Sequence, residues 1–169
     1  MTRPTKIGLQ HLWLAAVAAA IFLAATPVSA SDIQKHGDAL VIYLPGDLEY
    51  LEIVERLKSE ILAANWEITD VQEIDVGLRQ YGVETKNKVI SACKSQLLAQ
   101  AIKEDPYISL AVPCRFTVFR DEAMGKIVVG FHDPAAEARA LKVGKYKAAE
   151  QATEELKGVL QIIADFYKR

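Results

Sequence analysis

Cys93 and Cys114, with twenty residues between them, carry the plainest chemistry in this sequence. A sulfur pair can cross-link, cycle between thiol and disulfide, or bind a soft metal ion. Ile90, Cys93 and Leu97 recur at helical spacing, which predicts Cys93 on the apolar stripe of a helix. Ile108, Leu110, Val112, Cys114, Phe116 and Val118 form the apolar half of a period-two run. That pattern puts Cys114 on the buried face of a strand. Both thiols are then expected in one helix–sheet layer.

Three chemistries fit such a pair. The first is a structural disulfide, which would contribute about 3 kcal/mol in the chain-entropy account, or simply two buried thiols. A redox pair needs a helix N-terminus or a nearby cation to favour the thiolate. Arg115 is adjacent, but alternation turns it to the face opposite Cys114. A metal set needs more than two thiolates. His132 is the further candidate ligand beside Cys93 and Cys114, for zinc or copper. It shares a face with Val128 and Gly130, opposite Ile127, Val129 and Phe131, which points it away from the core. Haem is a further cofactor alternative, without a CxxCH for covalent attachment. There is no GxSxG, HExxH or P-loop, and no carboxylate pair stands out as an acid–base couple.

The ends of the chain differ in composition. Arg3 and Lys6 precede fourteen uncharged apolar residues, Leu12 to Ala25, and Pro27 and Val28-Ser29-Ala30 follow. This is the order of a secretory signal peptide, with cleavage expected near Ala30. Fourteen helical residues reach about 21 Å, short of a hydrocarbon core of roughly 30 Å, so no permanent membrane span is expected. Nor does a lipoprotein cysteine or a twin arginine accompany the run. Without Arg3 and Lys6, the 20 basic residues become 18 against 22 acidic ones, net −4 over residues 31–169. A mildly acidic, exported protein is a poor partner for nucleic acid. Its compartment is expected to be periplasmic or extracellular, where disulfides persist.

The remaining elements follow from periodicity. Residues 31–38 read as a polar tail, and 39–169 as one domain. Ala39–Leu44 is a strand stopped by Pro45-Gly46, with Asp47 as the cap of a helix over 48–64. Trp66–Glu73 is a second strand, and Val76–Tyr81 a short helical turn closed by Gly82. Lys86–Glu104 is expected to be one helix ended by Pro106. Ile108–Phe119 is a strand at an edge or bulged at Pro113, and Ile127–Phe131 returns as its hairpin partner. Ala135–Leu141 is a short helix interrupted by Gly144, and Ala148–Tyr167 a long one. The order β-α-β-(α)-α-β-β-α predicts an α+β fold, a mostly antiparallel sheet packed by helices on one face. The other face is left partly exposed, which favours a homodimer.

The pattern Asp75…Gly82, then Cys93 and Ala99, Asp105-Pro106 and Val112-Pro113-Cys114-Arg115-Phe116, resembles the family called Domain of Unknown Function 302. The likeness covers roughly residues 39–160. One departure is Lys94-Ser95 after Cys93, where many members carry Asn-Pro. The resemblance implies a single-copy TATA-binding-protein-like fold, often dimeric, with no established reaction. Within its most specific segment, Pro113 and Arg115 are the binding candidates. Two functions are therefore carried forward. One is an exported, non-enzymatic protein that binds a small ligand or partner protein. The other is a thiol-redox or metal-handling protein that uses Cys93 and Cys114.

Overall fold

The computed structural model describes residues 32–143 and 147–168. The export signal expected over 1–30 and the interruption at Gly144 lie outside them. Six strands form one antiparallel sheet in the order β1-β2-β6-β5-β4-β3. They are β1 (Gln34–His36), β2 (Ala39–Pro45), β3 (Glu67–Gln72), β4 (Asn87–Cys93), β5 (Cys114–Asp121) and β6 (Lys126–His132). The helices are α1 (Tyr50–Ala63), α2 (Ile74–Arg79), α3 (Ser95–Glu104), α4 (Pro134–Ala140) and α5 (Lys147–Tyr167), with a 3-10 turn at Pro106–Ala111. The α+β class and the helix-packed antiparallel sheet are as expected. Among the described residues, no helix is long and apolar enough to cross a membrane.

Alternation sorts the sheet into two faces. Leu40, Ile42 and Leu44 of β2, Ile90 and Ala92 of β4, Phe116 and Val118 of β5, and Ile127, Val129 and Phe131 of β6 enter the core. Against them α1 lays Ile53, Leu57 and Ile61, and α5 lays Leu156, Leu160 and Ile163. Those spacings of three and four are the apolar stripe of an amphipathic helix. Phe116 and Phe131, paired across β5 and β6, meet with ring centroids 5.2 Å apart. Tyr50 Oη donates to the Val118 carbonyl at 2.9 Å and so ties α1 to β5.

Four expectations are corrected. Residues 34–36 are not tail but an edge strand, turned onto β2 through Gly37-Asp38 with Gly37 at φ +61°. Thus His36 belongs to the sheet. Helix α1 is entered through Glu49, without a side-chain cap, rather than through Asp47. The helix expected over 86–104 is instead a strand followed by a shorter helix. Val89 and Ile90 favour extended backbone, and β4 is paired on both sides, with β3 and β5. Lys88 hides the alternation, because it lies on the core-facing side and is nearly buried. There it meets Glu73 at 2.7 Å and Asp75 at 3.7 Å.

The strand expected from Ile108 starts only at Cys114. Asp105 accepts a hydrogen bond from the Tyr107 amide, and Pro106 follows it, so the pair that ends α3 also opens the 3-10 turn. Leu110, expected inside, is 72 % exposed. Pro113 precedes the strand, which is why β5 is interior rather than an edge.

Candidate functional site

The two cysteines come close in the backbone but not as a bonded pair. Cys93 ends β4 and Cys114 begins β5; both are free thiols. The disulfide expectation is corrected, and the register gives the reason. Cys114 lies opposite Ala92, so those two share the core face, and Cys93, the next residue, turns to the other. Cys93 is thus on a strand end and not on a helix stripe. Both residues border an apolar crevice with Trp66, Leu97, Ile108 and Ala149, but it holds only about 50 Å³.

Neither thiol is activated. Burial pushes Cys114 up to about 12, and the nearby Glu137 charge adds to this. Burial raises Cys93 as well, followed by the charge of Glu67. Nor are Cys93, Cys114 and His132 gathered as ligands. Among the described residues, no group of three or more Cys, His, Asp or Glu could hold a metal ion. His132 is 48 % exposed, as alternation predicts, and its Nδ1 lies 3.0 Å from Glu137 Oε1. The same oxygen is 3.7 Å from an Arg115 Nη2. Pro113 is exposed and stands just outside β5, behind a cis bond from Val112.

Glu137 was not singled out by sequence reasoning. Its signal lay in Asp133-Pro134, a helix start that places Glu137 in the first turn of α4, beside the end of β6. Asp133 Oδ1 accepts from the Ala135 amide at 3.0 Å and from Thr153 Oγ1 on α5. Arg139 stands 3.6 Å from the other oxygen. Burial raises the Glu137 carboxyl above the usual range, while His132 and Arg115 act to lower it.

Arg115 and His132 sit at one end of the sheet face opposite the helices. That face can be read off row by row. His36 is opposite Ala39, Ala39 opposite His132, and Arg115 opposite Ser91. The next row contains Val41, Gly130, Thr117 and Val89, and the third Tyr43, Val128 and Phe119. All of these but Ser91 line a cleft of about 500 Å³. A cleft of roughly 300–1,000 Å³ suits a small organic ligand, whereas the cysteine crevice is nearer the share of one or two waters. Gly130 shapes the floor. A Cβ there would stand 2.6 Å from Val41 Cγ1 and 2.7 Å from the Leu40 carbonyl oxygen. Only glycine lets Val41 lean across it.

A family model described as "Domain of unknown function DUF302" matches residues 42–163. The chain is also similar to the crystal structure of an uncharacterized conserved DUF302 protein from Bacillus stearothermophilus, at 17 % identity and a TM-score of 0.63. That likeness covers 74 % of this chain and 97 % of the other. No curated protein matches.

Proposed function

The chain belongs to the DUF302 family, and on that premise we propose that it is an exported, non-enzymatic binding protein that holds a small ligand on the open face of its sheet. One observation carries the reading: a cleft of about 500 Å³ that combines apolar walls with convergent polar groups at one end. Val41, Val128 and Phe119 supply the walls, and Arg115, His132 and His36 the polar end. Rigid strands hold them, so the site is formed before a ligand arrives. The export reading is supported by the charge, apolar run and small residues of the first thirty positions. The thiol-redox alternative is less well supported, because both thiols are shifted away from the reactive thiolate.

Two measurements test this. Full-length chain expressed in a bacterium is expected in the periplasmic fraction with Ser31 at its N-terminus; retention of residues 1–30 in a cytosolic protein refutes export. In a thermal-shift screen of small organic molecules, the exported protein is expected to gain stability from a subset. Thr117→Trp, which fills the middle of the cleft, is expected to abolish those gains. Equal gains in a folded Thr117→Trp protein place the ligand elsewhere and refute the site.

A further inference from the structure

Resting on the reading of the open face as a ligand site, the geometry points to one ligand class: we propose an amphipathic monocarboxylate, with its carboxylate at Arg115 and His132 and its apolar body toward Val128 and Phe119. The face is polarised along the strands. Its first row carries His36, His132 and Arg115, the last 58 % exposed. The following rows carry Val41, Thr117 and Val89, then Tyr43, Val128 and Phe119. Val128 lies four strand steps from His132, which at about 3.4 Å each is about 14 Å. That matches an elongated molecule with one polar end, not a compact polar one.

The sign of the head group follows from the charges that face it. Arg115 is a permanent cation with a planar fork suited to a carboxylate. His132 engages Glu137 through Nδ1, and in its doubly protonated form the ring donates to a ligand carboxylate through Nε2. Glu137 is the acid in contact with both, and at 18 % exposure it braces the two side chains from behind rather than filling the cleft. Asp133 is buried and held by Ala135, Thr153 and Arg139. Asp70 lies two strands beyond Arg115 in the register, and Asp121 lines the opposite end. Arg115 thus offers the first row's permanent cation to an anion, whereas at the far end Asp121 is paired across the strands with Lys126 and presents no lone charge.

A second copy of the chain fits this face less well. A two-fold interface must be complementary to itself, and two concave faces set together enclose a void.

The test is calorimetric titration of the exported protein with octanoate, octanol and octylammonium at one ionic strength. Octanoate is expected to bind tightest. Arg115→Gln is expected to weaken it roughly tenfold to a hundredfold, the scale of a lost charge-assisted hydrogen bond. Arg115→Lys is expected to retain part of the affinity, and both variants to melt near the wild type. Octanol or octylammonium binding the face as tightly as octanoate overturns the carboxylate class and leaves the ligand site standing. Absence of binding by all three overturns the class as well. A face closed by a second copy, seen as a dimer that Thr117→Trp dissociates, overturns both the class and the site.

Discussion

The reactivity of Cys114 separates a binding protein from a thiol catalyst, and its size can be worked out. A free cysteine has a pKa of about 8.5 and is roughly one-quarter thiolate at pH 8. Cys114, pushed up to about 12 by burial, is one part in roughly ten thousand thiolate at that pH. Ionisation alone then slows alkylation by roughly three orders of magnitude, since the thiolate is the nucleophile. In Cys93→Ser protein, iodoacetamide labelling followed by intact mass is expected to show this lag. The rate should climb tenfold per pH unit without levelling below about pH 11. The same shift has a stability arm. A folded-state value above the unfolded one leaves stability unaffected below about pH 8.5–9 and erodes it as pH rises toward 12. Cys114→Ala is expected to flatten that alkaline loss. Tyr50, whose hydroxyl burial also raises, adds a loss of the same sign that persists in the variant. Labelling of Cys114 at a free-cysteine rate, with a midpoint near pH 8 or below, refutes the reasoning and restores the redox reading.

Gly130→Ala is expected to cost about 2–3 kcal/mol, the upper part of the overpacking range, because its Cβ meets a backbone carbonyl as well as Val41. Urea denaturation checks it, and a loss below about 0.5 kcal/mol contradicts the close approach of β2 and β6. Asp133→Ala removes the cap of α4 and the partner of Thr153, and about 1–2 kcal/mol is expected in the same assay. It should also loosen Glu137 on the first turn of α4 and weaken ligand binding, whereas unchanged binding would detach α4 from the site.

Elements whose burial matches their own periodicity were legible in the sequence. The stripe of α5, the short run of β2 and the hairpin of β5 and β6 all bury the side that the pattern marks. Where a tertiary partner overrides the pattern, reading failed. Lys88 sits on the core-facing side of β4 because Glu73 and Asp75 receive its ammonium, and neither is visible from the local period. Gln34–His36 has no apolar alternation at all; β2 makes it a strand. At the candidate site, Arg115 and His132 were already marked as facing away from the core. The pairing of β5 with β6 that brings their rows together was expected as well; what was invisible was Glu137, which arrives from another element. The cysteines misled for the converse reason. A one-residue register difference, Ala92 rather than Cys93 opposite Cys114, turns an apparent pair onto two faces.

The most direct test of the central claim is amide shift mapping by NMR during titration of the exported protein with octanoate. The account predicts that the largest changes fall on Val41, Arg115, Thr117, Val128, Gly130 and His132, the residues of the open face. Changes centred instead on Leu97, Ala101 and Ile108, around the cysteine crevice, would contradict it.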